Sequence, residues 1–394
     1  MSTRRELTAF VSSLPLLVGI AAATPARAAG YQGTIKIGII APLTGGGAPW
    51  GMAEEWGGRI LANEINAKGG LDIAGKKYKI VMIPYDDQYK AADAIAAYNR
   101  LLNVDHAKYM IVLATPSTLA LKQAIERDNV LALTSSGTVQ AVSHNDKHLV
   151  RAFSILADYI PPFYAWLRDH LKERRVAIIN PNDASGWDST KVSAKYLKQS
   201  GFEVVDEENF ERAQNDFSPM ITRMMSKNVE ILELASTPPA TAGLIVRAAR
   251  ELGFKGQIIK GGGPAPVDIV RAAGAKAAEG MYNLLYVNPA SPGYQRLAAD
   301  YKKAVGQEPN ELIVSFYDAF NVLVDAIQKG GDPNDPMKAR AAFGEVLPMQ
   351  SIQGVPLNYG GMATTGALNE ILTVGFVGQI RNGKSVILDM IQPK

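Results

Sequence analysis

Cysteine is absent from the chain. No disulfide can form, and no lipid-modified cysteine can tether the protein to a membrane after export. An excess of one charge is also lacking, because 38 acidic residues balance 41 basic ones. Such a balance gives no reason to expect nucleic acid or an anionic membrane surface as a partner.

Long apolar runs are scarce, and the clearest lies near the start of the chain, at residues 9–23. It follows Arg4 and Arg5 and precedes Ala26–Ala28, a small-x-small pattern that signal peptidase recognises. The run is too short for a comfortable membrane span. We therefore predict a signal peptide at 1–28, exported by the Sec or twin-arginine route, and a mature protein free in the periplasm.

Motifs of several enzyme classes are missing. Gly45–Gly47 lacks the spacing of a dinucleotide fingerprint, and neither a Walker loop nor a nucleophile elbow is present. His144 and His148 are four residues apart, but no third ligand is near them, so neither a metal nor a cofactor is expected. An enzyme, such as a hydrolase, and a sensory module are the less favoured alternatives to a binding protein.

The chain does contain a regular alternation of short apolar runs and amphipathic stretches. Runs bounded by Pro, Gly or polar residues are typical of buried parallel strands. Between the first two runs, Met52, Trp56 and Ile60 predict a helix that ends at Lys68–Gly70. The runs form two sets: Ile35–Ile40, Tyr78–Ile83, Met110–Leu113 and Val130–Leu133, then Val176–Ile179, Glu203–Val205, Ile231–Ala235 and Gln257–Ile259.

Two sets of this kind predict two doubly wound α/β lobes with right-handed crossovers. Further helices are predicted from Pro239 to Gly253, at Gly293–Val305 and at Leu312–Lys329. The segments Ile371–Val377 and Val386–Met390 are expected to form a hairpin with an Asn-Gly turn. No flexible linker is visible, so we expect ordered strands to join the lobes as a hinge.

Three loops follow strands of the first set at the edge where such sheets bind ligands. They are Thr44–Trp50, Ala114–Thr118 and Thr134–Thr138, and the last two are rich in hydroxyl groups. Hydroxyls and backbone amides aimed at one point can hold a carboxylate without a full counter-charge. Ordinary helix capping by Ser and Thr is the alternative explanation.

Several segments resemble the leucine/isoleucine/valine-binding protein family of periplasmic receptors. The opening strand and loop, the end of the first helix and the following acidic turn all match, and so do two segments of the second half. These segments are Lys36–Gly45, Asn63–Leu71, Tyr85–Gln88, Arg175–Ile179 and Asp216–Ser218. The resemblance covers nearly all of the mature chain.

The resemblance implies a type I periplasmic-binding-protein fold, in which a three-strand hinge joins two lobes that close over a ligand. The first lobe is then expected at 31–155 plus 287–357, and the second at 156–286 plus 358–394. An inner-membrane ABC permease is the implied partner, and the protein is expected to be a monomer.

The resemblance also implies site residues. In the first lobe, the carboxylate-binding hydroxyls and amides fall on Thr115, Ser136 and Thr138, together with the neighbouring Pro116 and Gly137. A cleft aromatic residue falls on Trp50.

The second lobe departs from the family pattern. Ser185 and Thr237 stand where amino-acid-binding relatives have tyrosines, and Gly262 stands where they have the acid that binds an ammonium group. A carboxylate with a hydrophobic, aromatic body is therefore expected, packed against Trp50 and Trp187. A hydrophobic amino acid stays the alternative, with Asp158, Asp183 or Asp188 as the acid that would reach its ammonium group.

Overall fold

The apolar runs of the sequence form the strands of two separate sheets. The computed structural model describes residues 30–153 and 156–393, so the predicted signal peptide lies outside the described residues. The strands are β1 (Gly33–Ala41), β2 (Leu71–Ile73), β3 (Lys76–Asp86), β4 (Tyr109–Val112), β5 (Leu131–Thr134), β6 (Leu149–Arg151), β7 (Arg175–Pro181), β8 (Glu203–Phe210), β9 (Ile231–Glu233), β10 (Gln257–Lys260), β11 (Tyr282–Leu285), β12 (Met349–Gln350), β13 (Pro356–Gly360), β14 (Glu370–Leu372), β15 (Gly375–Arg381) and β16 (Lys384–Ile391).

Helices connect most of the parallel strands. They are α1 (Ala48–Ala67), α2 (Ala91–Asn103), α3 (Thr115–Arg127), α4 (Leu156–His170), α5 (Ala184–Gln199), α6 (Ser218–Ser226), α7 (Pro239–Glu251), α8 (Pro266–Ala273), α9 (Ala275–Ala278), α10 (Pro292–Val305), α11 (Ile313–Gly330) and α12 (Pro336–Val346). Among the described residues, no helix is long and apolar enough to cross a membrane.

The first sheet has the strand order β12-β13-β14-β6-β5-β4-β1-β3-β2. Its central strand β1 is parallel to both β3 and β4. Ile37 and Ile39 face a core that includes residues of α1 and α11, whereas Ile40 faces α2 and α3. A Cβ at Gly38 would lie 2.6 Å from the Leu101 side chain of α2, so a larger residue here would displace that leucine.

Helix α1 ends where the sequence predicts. The amide of Gly70 donates to the carbonyl of Ile65 at 3.0 Å and turns the chain out of the helix. Gly69 and Gly70 have φ values of 93° and 90°, in the left-handed region that glycine tolerates. A Cβ on Gly70 would also lie 2.5 Å from the carbonyl oxygen of Tyr78.

The second sheet has the order β16-β15-β11-β10-β9-β7-β8. Strand β7 is parallel to both β8 and β9. In each sheet the chain therefore reverses its direction of winding beside one strand, at β1 in the first sheet and at β7 in the second. Doubly wound sheets bind ligands at such a switch point, beyond the carboxyl ends of the strands.

The chain passes between the sheets three times: from β6 to α4, from β11 to α10, and from β14 to β15. The sequence put residues from 358 onward with the second lobe, but β13 and β14 pair within the first sheet. The hairpin was also expected to begin at Ile371, whereas it consists of β15 and β16. The second difference arises because Thr373 and Val374 separate β14 from β15, which the sequence joins in a single apolar run.

A buried ion pair joins β14 to β6. The Arg151 Nε donates to Glu370 Oε1 at 2.8 Å, and both side chains are fully buried. Thr364 Oγ1 donates to the second oxygen of Glu370 at 2.6 Å. Two charges in a protein interior are tolerated only together, because removing one leaves the other desolvated and uncompensated.

We expect Glu370→Gln to lower the free energy of unfolding by about 3–5 kcal/mol, because it removes the ion-pair partner of the buried Arg151 charge. Urea unfolding followed by circular dichroism measures the change. The matched control is Glu203→Gln in the Arg175–Glu203 pair, whose side chains are 36% and 61% exposed. That variant should lose at most about 1 kcal/mol, and equal losses in the two variants would contradict the role of the buried pair.

Candidate functional site

A cavity of about 90 Å³ lies where the carboxyl ends of the two sheets meet. Its walls come from loops after strands of both sheets, from the crossings between them and from α11. The lining residues are Trp50, Tyr89, Leu113, Thr115, Ser135, Ser136, Gly137, Phe153, Leu156, Ser185, Ser236, Gly263, Tyr286, Leu312 and Phe316.

Two hydroxyl groups meet at the side of the cavity formed by the first sheet. Thr115 is the first residue of α3, and Ser136 follows β5. Their Oγ atoms are 2.7 Å apart, and the two residues are only 6% and 2% exposed. The partial positive charge at the start of a helix such as α3 favours an anion at this position. The structure thus brings together two residues that the sequence assigned to one site.

Arg151 lies behind the Ser136 loop and was not anticipated from the sequence. Its Nη1 donates to the carbonyl oxygen of Ser136. The guanidinium, paired with Glu370 on its other side, therefore holds the loop in place. The sequence could have identified Arg151, because it stands at the end of the apolar run Leu149–Arg151. A charged side chain in a buried strand usually has a specific partner.

Of the other residues predicted for the site in the first lobe, one lines the cavity and two do not. Gly137 lines the cavity, and a Cβ there would lie 3.1 Å from Leu156. Thr138 Oγ1 accepts a hydrogen bond from the Gln140 amide at 3.3 Å and caps a short 3-10 helix. Thr138 and Pro116 are not among the lining residues. Capping, the alternative explanation for these loops, accounts for Thr138.

Trp50 connects the two sides of the cleft. It lies in the first turn of α1, and its Nε1 donates to the carbonyl oxygen of Pro264 at 3.0 Å, in the loop after β10. The indole ring packs on Gly263, where a Cβ would lie 2.6 Å from Cζ2. The neighbouring Gly262 packs against Leu156 and is not among the lining residues.

Lys260 is fully buried beside this contact. Its Nζ donates to the carbonyl oxygens of Leu234, Ala235 and Thr237 at 2.9, 2.9 and 2.7 Å and lies 5.5 Å from the Trp50 ring centroid. Burial lowers the pKa of Lys260, but three donated bonds use all three hydrogens of a charged ammonium group. The sequence reading considered only Gly262 in this stretch and missed the lysine.

Of the residues predicted for the site in the second lobe, some line the cavity and others lie outside it. Ser185 lines the cavity from the first turn of α5. Thr237 does not line it, because its hydroxyl donates to the Ile179 carbonyl at 2.8 Å. Trp187 is 56% exposed, and its Nε1 donates to Asn182 at 2.9 Å outside the cavity. Residues two apart in a helix lie on nearly opposite faces, about 200° apart, so Ser185 and Trp187 could not both face the cleft.

Aromatic side chains form the apolar wall of the cavity. Phe153 packs on Tyr286 and Phe316, with ring centroids 6.0 and 5.6 Å apart. These residues come from two crossings and from α11, far apart in sequence, so no local motif could have identified them as a group. Among the lining residues in the part of the chain that the structure describes, none is charged.

Comparison with known proteins agrees with this architecture. A family model described as a periplasmic binding protein matches residues 34–383. A Leu/Ile/Val-binding protein from Citrobacter freundii is 28% identical over 307 residues, which cover 77% of this chain and 82% of that protein. An amino acid binding protein from Pseudomonas aeruginosa is 25% identical over 334 residues, which cover 81% of this chain and 84% of that protein.

Solved structures show the same fold. A leucine-binding protein from Thermotoga maritima has a TM-score of 0.78 at 22% identity, covering 91% of this chain and 99% of that one. A solute-binding protein of an ABC transporter from R. palustris, in complex with benzoate, has a TM-score of 0.78 at 16% identity and covers 91% of this chain and 97% of that one. The predicted type I fold is thereby confirmed. Because the family model spans most of the sequence, this chain belongs to the periplasmic binding protein family.

Proposed function

We propose that this protein binds a small carboxylate with a hydrophobic, aromatic body between its lobes and delivers it to an ABC permease of the inner membrane. In this proposal the mature protein works as a monomer in the periplasm and binds its ligand without chemical change. The observation that carries the proposal is the Thr115–Ser136 hydroxyl pair, which lies at one side of an aromatic-walled cavity.

Uncharged donors at that pair fit a carboxylate. Hydroxyl groups and the start of α3 can stabilise the anion, and Arg151 fixes the Ser136 loop through its carbonyl oxygen. An amino acid would also bring an ammonium group, which costs several kcal/mol to bury without an anionic partner. The carbonyl oxygens of Leu234, Ala235 and Thr237 could have accepted from such a group, but the ammonium group of Lys260 already occupies them.

The aromatic wall favours an aromatic body. Burying one ring removes about 150 Å² of surface from water, which contributes roughly 4 kcal/mol. Hydrogen bonds to the carboxylate contribute about 1.5–3 kcal/mol each. After the cost of association, an affinity in the micromolar range, about −8 kcal/mol, is reached.

Binding in this proposal is coupled to closure of the hinge. The ligand docks first on the Thr115 and Ser136 side of the cleft, and Ser185 and Ser236 contact it when the second lobe arrives. Contacts made only in the closed arrangement shift the population towards it. The Trp50 to Pro264 hydrogen bond belongs to that arrangement, because it joins the two sides of the cleft.

A hydrophobic amino acid is the second candidate ligand, and Asp158 is the residue that favours it. This side chain is 5% exposed on α4, and burial, together with the Glu370 charge, raises its pKa to about 7. Burial is the main cause of the raised pKa of the cavity residue Tyr286, and the Asp158 charge contributes to it. A ligand ammonium close to Asp158 would favour its ionised form. Relatives named Leu/Ile/Val-binding proteins add to this alternative.

Calorimetry separates the two candidates. We expect benzoate-type or phenylpropenoid acids to bind the protein with dissociation constants near micromolar, and leucine and valine to bind at least about tenfold more weakly, because their ammonium group lacks an anionic partner. Straight-chain and branched aliphatic acids are the control for the aromatic contribution. Tight binding of leucine or valine with no response to the acids would contradict the proposal.

Substitution of the hydroxyl pair tests the position of the carboxylate. Thr115→Val keeps the shape of the side chain and removes the donor, so we expect the bound acid to lose about tenfold or more in affinity. The measurement is calorimetric titration with the tightest acid of the panel.

Thr138→Ala is the matched control, since its hydroxyl is engaged by Gln140 and does not line the cavity. That variant should lose less than about threefold in affinity, well below the loss of one charged hydrogen bond. A larger loss for Thr138→Ala than for Thr115→Val would move the carboxylate site to the Thr138 turn.

A further inference from the structure

A group of hydrogen bonds joins the two lobes beside Trp50. The carbonyl oxygen of Pro264, which accepts from the Trp50 indole, also accepts from Asn310 Nδ2 at 3.1 Å. Glu311 Oε1 accepts from the amide of Val267 at 3.1 Å. Pro264 and Val267 belong to the second lobe, whereas Asn310 and Glu311 directly precede α11 of the first. These contacts therefore exist only where the lobes touch.

Two acids meet at this interface. Asp268 follows Val267 in the first turn of α8, and its charge acts on Glu311. Asp268 is 3% exposed, and Glu311 is fully buried. The interface thus removes two carboxyl groups of opposite lobes from water and brings them together, which is unfavourable when both are ionised.

Hydrogen-bond partners decide which of the two acids keeps its charge. Asp268 Oδ1 pairs with Arg271 at 2.6 Å, and its Oδ2 accepts from Asn310 at 2.6 Å. Glu311 Oε2 is buried and has no hydrogen-bond partner within the described residues. A carboxylate there would lack the compensation that Asp268 has. Burial and, after it, the Asp268 charge accordingly raise the pKa of Glu311 to about 8.

The other charged and titratable groups near Glu311 come from α8, α10 and the segment before α11. The Arg271 charge opposes the rise in the pKa of Glu311, but its guanidinium is engaged by Asp268 and by the carbonyl oxygen of Glu308. The Glu308 side chain forms an ion pair at the surface. Burial raises the pKa of Tyr294 on α10, and the Glu311 charge adds to this effect. These groups favour the neutral form of Glu311 or are already paired.

We propose that closure of the lobes takes up a proton at Glu311, so that acidification favours the closed form. The inference rests on the hinge closure of the proposed function and adds a regulation of it by pH. Opening separates Glu311 from α8 and exposes it to water.

The sign of the effect follows from the two pKa values of Glu311. An exposed glutamate has a pKa of about 4, and burial at the interface raises the pKa to about 8. Between these values the closed form binds more protons than the open form. The stabilisation of the closed form is therefore complete at the acidic end of this range and is lost as the pH rises through about 8.

Distance measurements on the ligand-free protein test the inference without any choice of ligand. Because the chain has no cysteine, fluorescent dyes can be attached to Lys68→Cys in the first lobe and Lys198→Cys in the second, both at exposed positions. Single-molecule energy transfer then gives the ratio of closed to open molecules. We expect this ratio to fall by at least about tenfold from about pH 6 to about pH 8.5.

Variants of two glutamates in the same segment assign the effect. Glu311→Gln keeps the shape of the side chain but cannot titrate, so the ratio should change by less than about threefold over the same pH range. Glu308→Gln is the matched control, because this side chain is 46% exposed and pairs with Lys302. It should keep the full pH dependence. Circular dichroism at both pH values confirms that each variant is folded.

Two outcomes overturn this inference alone: a ratio in the unaltered protein that responds to a ligand but not to pH, or a pH dependence that persists in Glu311→Gln. A dye distance that changes neither with pH nor with saturating benzoate, leucine or valine overturns the hinge closure of the proposed function and this inference together.

Discussion

The buried guanidinium of Arg151 is the interaction on which both the first lobe and the site depend. It pairs with Glu370 and so joins β14, a late strand of the chain, to β6. The same side chain holds the carbonyl of Ser136 and thereby the hydroxyl that meets Thr115. Glu370 offsets the cost of burying the arginine, so one side chain both joins two strands of the first sheet and positions the loop that carries the hydroxyl pair.

Lys260 has a comparable role in the second lobe. Its Nζ donates hydrogen bonds to three loop carbonyl oxygens and lies near the Trp50 ring. Each lobe thus contains a buried cation behind the cleft with a buried acid near it, Glu370 for Arg151 and Glu233 for Lys260, and the described lining residues are uncharged. The selectivity of such a cavity depends on hydrogen bonds and ring packing rather than on direct ion pairs.

Much of the fold could be predicted because strand–helix alternation and helix ends are local properties of the sequence. The end of α1 at Gly69–Gly70 and the hydroxyl loops at Thr115 and Ser136 are examples. The aromatic wall could not be predicted, since Phe153, Tyr286 and Phe316 meet only after the chain has crossed between the lobes. Trp187 is the reverse case: its position near Ser185 in sequence suggested the cleft, but the helix turns it towards solvent.

The hydrogen bond from the Trp50 indole to Pro264 needs no ligand atom. In the proposed hinge mechanism, such a contact stabilises the closed form of the protein with or without a ligand. The contact lowers the free energy that ligand binding must supply for closure. It also raises the population of closed molecules without a ligand. In that mechanism, a strong Trp50–Pro264 hydrogen bond would improve ligand capture at low ligand concentration. The permease would then more often encounter closed molecules that carry no ligand.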